Sequence, residues 1–214
     1  MLDACSRDHT LQFARSAGAR VVQREWNGFL DARAFALSQV DTPWTLMIDA
    51  DEALDDVLRD AIVEASEDAD GYRIKRTTYF CGKPMRIWRN EGLLRLFRTG
   101  RAVLTAHPAA SKAAPLHEAW SCDGTVRELP GSLLHYSYPD VASYRSKYER
   151  YTTIEAANIR GSALGFLTAC AASLPRLGWL LFRRGALLDG PRGWYVAYHS
   201  ATYPAVAARK ALVS

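Results

Sequence analysis

Residues 44–52 read W-T-L-M-I-D-A-D-E: an apolar run delivers two carboxylates, Asp49 and Asp51, one residue apart, with Glu52 directly behind. On an extended strand, side chains at i and i+2 share a face, so both aspartates can address one ligand beyond the strand end. Two hard oxygen ligands in that position suit Mg²⁺ or Mn²⁺ shared with a substrate diphosphate. The competing reading is a strand that ends in a solvated acidic turn and opens the next helix. There Glu52 would simply favour the positive end of the helix dipole.

Other residues able to do chemistry are scattered downstream. His117 and Glu118 stand side by side, Asp123 follows closely, and His135 lies within the aromatic run L-L-H-Y-S-Y. A hydrogen-bonded core histidine accounts for His135 as well as a ligand does, and His107 before Pro108 reads as structural. Arg95 and Arg98 occupy opposite registers of one strand, so at most one of them faces a site. Arg145, Lys147 and Arg150 recur near helical spacing, either to hold a phosphate or as a solvated charged face.

The elements that must position these groups alternate in the first third. Helices are predicted at residues 10–17 (Asp8 capping), 31–39 (Ala34, Phe35 and Leu37 inward) and 54–67, with strands at 20–23 and 44–48. That alternation implies an α/β fold with a mostly parallel sheet covered on both faces. Strands follow at residues 71–80, 93–98, 125–129 and 131–138, then helices at 144–158 and 193–212. Between those helices, residues 162–182 are apolar enough to raise a membrane question, but Pro175 and Arg176 interrupt them. The prediction there is an interfacial hairpin rather than a span. Residues 1–139 thus read as a catalytic unit and 140–214 as a helical, basic and aromatic extension.

Composition sets the bounds. With 214 residues, 49% hydrophobic and 23% charged, the chain can bury a full core. Four scattered cysteines, with no C-x-x-C pair, exclude a zinc ribbon or a disulfide framework and fit a reducing compartment. From Asp140 onward ten Lys/Arg face four acids, a net +6 within a chain of net +4. A basic, aromatic tail on a slightly acidic body suggests an anionic membrane surface or a phosphate-bearing substrate. Neither an RNA-binding signature nor zinc-finger spacing occurs, so nucleic acid is not an expected partner.

Taken together, the chain resembles the family 2 glycosyltransferases of the GT-A fold, in the branch that includes lipopolysaccharide core glucosyltransferases. Asp3-Ala4-Cys5-Ser6-Arg7-Asp8 is similar to that family's D-x-x-S-x-D nucleotide segment. Residues 26–37 (W-N-G-F, then A-R-A-F-A-L) are similar to its next motif, and Asp49-Ala50-Asp51 to its D-x-D. Further similar segments are Pro115-Leu116-His117-Glu118, Leu134-His135-Tyr136-Ser137-Tyr138, residues 147–151 (K-Y-E-R-Y) and Leu187-Leu188-Asp189-Gly190 with Gly193. Members of the family begin a strand and a helix earlier, so Met1 is expected either to be a misassigned start or to open a truncated chain.

The resemblance implies an inverting transfer of a sugar from a UDP-sugar to a hydroxyl of a lipid-linked glycan such as lipopolysaccharide core. It implies a metal-dependent enzyme, cytoplasmic and peripheral to the inner membrane. Asp51 would be the direct metal ligand, and Asp49 would touch the ribose or help hold the metal. Asp3 would accept from the uracil ring, Asp8 would belong to the same nucleotide segment, and Arg33 would lie against base or diphosphate. Glu118 would be the base that deprotonates the acceptor, with His117 orienting the acceptor or ligating the metal, and Asp123 in reserve. Two other readings compete: a non-catalytic membrane-surface remnant, and a nucleotidyltransferase, which the lack of a Gly-rich phosphate cradle ranks last.

Overall fold

The computed structural model describes residues 1–65, 68–89, 91–106 and 118–213, with the backbone alone at 91, 105, 106, 118 and 119. Strand β1 (Leu2–Asp3), helix α1 (Thr10–Ser16), β2 (Val22–Gln23), α2 (Phe29–Ser38) and β3 (Trp44–Leu46) come first. After these come β4 (Glu52–Leu54), α3 (Asp56–Val63), β5 (Gly71–Phe80), β6 (Lys83–Pro84), β7 (Glu91–Arg98), β8 (Ala102–Ala106), β9 (Glu118–Cys122) and β10 (Val126–Tyr138). Helices α4 (Val141–Asn158), α5 (Ala163–Gly178) and α6 (Gly190–Val213) close the chain. The α/β expectation is met, with a mixed sheet in place of the mostly parallel one expected.

The main sheet runs β3-β7-β5-β10-β4, with β6 paired to β5; β1-β2 and β8-β9 form separate ladders. Parallel pairing joins β1 to β2 and β5 to β10, while the remaining ladders are antiparallel. Among the described residues no ladder joins β3 to β1 or β2, so β3 is an edge strand.

β5 is long because tyrosine, isoleucine, threonine and phenylalanine recur along it, residue types that fit a pleated surface. Its buried positions Tyr72, Ile74, Thr78 and Phe80 fall on one register. The two segments expected at 125–129 and 131–138 are one strand, β10. The Pro130-Gly131 pair reads as a turn but produces only a register shift between Glu128 and Ser132. Gly131 holds φ +84, and a Cβ there would lie 2.3 Å from the Leu58 backbone nitrogen, so α3 can approach the strand only over a glycine.

The helix expected from residue 54 starts later. Glu52–Leu54 pair antiparallel with β10, and Asp55 caps α3 by accepting the Leu58 N–H at 2.8 Å. In α2, Phe35 and Leu37 are half-buried but Ala34 is exposed, contrary to expectation. The hairpin expected at 162–182 is absent. Pro175 lies three residues before the end of α5, and the backbone runs through it into a π turn, Trp179–Arg183.

Two cores organise the main body. Leu58, Tyr72, Ile74, Leu96, Leu129 and Leu133 seal α3 onto the sheet. Phe80, Met85 and Ile87, from the far end of β5 and the turn after it, join Tyr144, Leu180, Val196, Ala197 and Ala201 of the helices. The far end of β5 and the C-terminal helices therefore share an apolar core, separate from the one under α3.

Candidate active site at the β3–β4 turn

β3 stops at Leu46, so Asp49 and Asp51 do not lie on a strand, as the sequence suggested, but in the turn that follows. The Glu52 N–H donates to the Asp49 carbonyl at 3.0 Å, and the Glu52 carboxylate accepts the Asp49 N–H at 3.0 Å. The turn closes because Glu52 is buried, with its side chain 0% exposed, and bonds Arg95 of β7 at 2.9 Å. The same Arg95 nitrogen donates to Asp49 at 2.8 Å, and Arg33 of α2 reaches Asp49 from the other side at 2.9 Å. Glu52 is thus an ion-pair partner within the sheet, not a helix-dipole residue. Of the two arginines in β7, Arg95 faces the site, while Arg98 donates to the Ala69 carbonyl and lies over Trp44.

Asp51 has a different partner. His135 of β10 stands with Nε2 3.3 Å from Asp51 Oδ2, and its Nδ1 lies 3.2 Å from the Thr78 hydroxyl. Register places His135 opposite both Glu52 and Thr78, so three adjacent strands fix the ring. Lys147 of α4 is held nearby by Ser137, through its carbonyl at 2.9 Å and its hydroxyl at 3.0 Å. Burial pushes the Asp49 carboxyl up, but the Arg95 and Arg33 guanidiniums more than offset this and leave it below its ordinary value. Asp51 is lowered too, chiefly by the hydrogen bond from His135, against opposing burial.

Both aspartates are therefore anions, but they are employed differently. Asp49 has both oxygens on guanidinium groups, whereas the Asp51 carboxylate meets the His135 imidazole, with the Lys147 charge acting on it from further off. Among the described residues no group of three or more His, Cys, Asp and Glu side chains converges on a metal position. The Asp51 carboxylate would suit a hard cation that takes most of its ligands from diphosphate oxygens and water, and the softer His135 imidazole could add one more. Thr78 would then accept from Nδ1–H and turn the Nε2 lone pair toward the cation. One nitrogen of Arg95, Nη1, is buried with no partner among the described residues.

The residues expected to face a nucleotide sit around the small sheet. Asp3, only 3% exposed, ends β1 and accepts from the Ser6 N–H, the Ser6 hydroxyl and Gln23. The Ser6 hydroxyl is the main cause of its lowered pKa. Asp8 is exposed and accepts the Thr10 N–H at 3.0 Å at the start of α1; hydrogen bonding from the Thr10 hydroxyl, then from its N–H, holds the carboxyl low. The exposed Trp26 and Phe29 meet edge to face beside them.

The base candidates fare unequally. Glu118 is the first residue of β9, its backbone opposite Ala106, and its side chain, like all of His117, lies outside the described residues. Asp123 lies between Cys122, whose thiol reaches the Asp70 carbonyl, and Thr125, whose N–H bonds the Asp70 carboxylate. That is the Gly71 end of β5, and His135 stands at Thr78, seven residues or roughly 23 Å away at 3.3 Å per residue. The structure does not bring Asp123 to Asp51.

The sequence that builds this site has known relatives. The family model described as Glycosyl transferase family 2 matches residues 1–113. The chain belongs to glycosyl transferase family 2. It is 32% identical over 168 residues to the lipopolysaccharide core biosynthesis glycosyltransferase LpsC of Rhizobium meliloti, covering 73% of this chain and 60% of that one. An uncharacterized glycosyltransferase of Rickettsia prowazekii is 27% identical over 168 residues, covering 74% of this chain and 58% of the other. Another from Rickettsia typhi shows the same identity and coverage. The chain thus spans about three fifths of the length of these relatives.

Proposed function

We propose that this family 2 chain is an inverting, metal-dependent hexosyltransferase. It would move a sugar from a UDP-sugar to a hydroxyl of a lipid-linked glycan such as lipopolysaccharide core. The observation that carries the reading is Asp51 paired with His135 beside an Asp49 whose own charge is spent on Arg33 and Arg95. That division leaves one carboxylate for a cation and uses the other to fix the turn. Mg²⁺ or Mn²⁺, when bound, would neutralise charge growing on the departing diphosphate. Asp3 and Asp8 would bound the uridine side, with Arg33 between them and the D-x-D turn. Glu118 would take the acceptor proton, and His117 would orient the acceptor.

Residues 1–139 would supply this chemistry and residues 140–214 the approach to the membrane. Among the described residues, Ala163–Arg183 is the one stretch long and apolar enough to cross a bilayer, and only 11% of its most apolar part is buried. Leu164, Leu167, Leu174 and Phe182 are each more than 60% exposed. With Arg176 and Arg183 alongside, this helix suits the interface of an anionic leaflet better than its interior. A cytoplasmic protein, peripheral to the inner membrane, follows from that reading.

The test is calorimetric titration of UDP-glucose into the chain with Mn²⁺, then with EDTA, for wild type, Asp51→Ala and His135→Ala. The proposal expects metal-dependent binding, lost in Asp51→Ala and weakened at least tenfold in His135→Ala. Metal-independent binding that both variants retain would overturn the assignment. No nucleotide-sugar binding in wild type, with vesicle binding intact, would favour a non-catalytic membrane-surface module.

A further inference from the structure

Lys147 is a half-buried cation without a counter-ion among the described residues. The sequence groups it with Arg145 and Arg150 at helical spacing, but the fold separates the three. Tyr144, Lys147, Tyr148 and Tyr151 recur at three- and four-residue steps on the inward face of α4, while Arg145 and Arg150 are exposed. Tyr144 is buried against Phe80 and Tyr138, so Lys147, almost one turn further on, is carried to the end of β10. There Ser137 takes two of its N–H groups, through its carbonyl at 2.9 Å and its hydroxyl at 3.0 Å, and Nζ lies 4.9 Å from the Tyr138 ring centre. Among the described residues no other oxygen accepts from this ammonium group.

Three consecutive residues of β10 tie it to the D-x-D turn. His135 Nε2 lies 3.3 Å from the Asp51 carboxylate, the Tyr136 N–H donates to the Asp51 carbonyl at 2.8 Å, and Ser137 holds Lys147. The Asp51 carboxyl, lowered first by the His135 hydrogen bond, is lowered as well by the Lys147 charge, so the two sense each other. They nevertheless form no ion pair, and the Asp51 side chain is 42% exposed. An ammonium group drawn partly out of water onto neutral oxygens alone loses hydration that no opposite charge returns. A phosphate that carries a divalent cation would complete both residues, with the cation on Asp51 and a free oxygen on Lys147.

We infer that Lys147 donates its remaining N–H to the sugar-side phosphate of the donor diphosphate; this rests on the glycosyltransferase reading above and adds a residue that touches the leaving group. The layout of the turn supports the sugar side rather than the uridine side. Asp49 is met by Arg95 of β7 and by Arg33, which that reading places toward the uridine. Asp51, two residues on, is met from β10 and acted on by Lys147, so the two cations address different carboxylates. In the transfer, the bond from the anomeric carbon to the phosphate oxygen breaks, and its electron pair stays on that oxygen. The acceptor oxygen forms the new bond and its proton goes to Glu118. Lys147 keeps its own protons and hydrogen-bonds the phosphate on which the charge grows.

The experiment is calorimetric titration of UDP and of UMP into the whole chain with Mn²⁺. Wild type is compared with Lys147→Met, Lys147→Arg, Arg145→Gln and Asp51→Ala, each with a thermal melt. Methionine keeps the stem over Tyr138 without the charge, and Lys147→Gln serves if that variant unfolds. The inference expects Lys147→Met to weaken UDP about tenfold or more and UMP less than about twofold, as loss of a hydrogen bond to a charged group would. Lys147→Arg should stay within about threefold of wild type, and Arg145→Gln should be unchanged. Unchanged UDP binding in Lys147→Met overturns the inference, as does equal weakening of both nucleotides with a lowered melting temperature, the mark of a structural lysine. If Asp51→Ala loses UDP while Lys147→Met keeps it, the donor reading stands and the lysine assignment falls. If Lys147→Met loses UDP selectively while Asp51→Ala keeps it, the metal assignment falls and the lysine stands. Failure of wild type to bind either nucleotide overturns both.

Discussion

The D-x-D turn and the C-terminal helices solve the same problem, holding side chains in fixed places, with opposite means. At the turn, order comes from charge: Glu52, Asp49, Arg95 and Arg33 interlock at 2.8–2.9 Å with Glu52 fully buried. In the helices, order comes from shape. Phe80 stacks on Tyr195 at 6.0 Å, Tyr144 meets Tyr195, His199 and Tyr148, and small residues Ala197 and Ala201 admit close helix approach. A charge cluster fixes orientation in a place that must stay polar for a ligand. Aromatic packing stabilises without regard to what binds.

The contrast can be broken most forcefully at Arg95. Arg95→Ala takes from the buried Glu52 carboxylate its hydrogen-bonded cation, leaving Arg76 at 4.0 Å, while Asp49 keeps Arg33. It should cost about 3–5 kcal/mol in denaturant unfolding, since stranding a buried charge is expensive. A loss below about 1 kcal/mol would mean that water screens the cluster. On the packing side, Gly193→Ala should cost about 1–3 kcal/mol by the same measurement. A Cβ there would fall 1.8 Å from the Ala186 carbonyl oxygen, and backbone must move to admit it.

Acid sharpens the difference further. Asp3, Asp49 and Asp51 all have lowered folded pKa values, so each adds stability that is complete above its unfolded value, ~3.9, and is lost as pH falls through the lower folded value. Thermal melts should therefore fall steeply below about pH 4, and Asp49→Asn should flatten that limb. An unchanged limb would remove Asp49 from the account. The smallest effect belongs to the outer helix face. Leu174→Gln and Phe182→Gln should change unfolding free energy by less than about 0.5 kcal/mol, as surface substitutions do, while cutting cosedimentation with anionic vesicles. Retained cosedimentation would take the membrane reading away from α5.

Sequence reading recovered what local pattern controls. The bounds of β5 were legible to the residue, and α4 and α6 to within about three residues, the usual uncertainty of element ends. β4 was missed because Leu54, Val57, Leu58 and Ala61 carry a helical period that runs into a three-residue strand. Only pairing with β10 makes Glu52–Leu54 extended. The carboxylates of the site were visible, but the partner of Asp51 was not. His135 is distant in sequence and becomes relevant only when β10 settles between β4 and β5. The ion pairs of Glu52 and Asp49 with Arg95 were hidden for the same reason, though strand alternation did limit the choice to one of two arginines.

The shared interior of Phe80, Met85 and Ile87 with Val196, Ala197 and Ala201 has a consequence for how the molecule comes apart. Heat should not melt the helices first and leave an intact sheet behind, because Phe80, Met85 and Ile87 would lose the helical side of their core. Scanning calorimetry should then show a single endotherm whose calorimetric and van't Hoff enthalpies agree. Protease nicks near residue 139 should leave fragments that stay associated until the whole structure is lost.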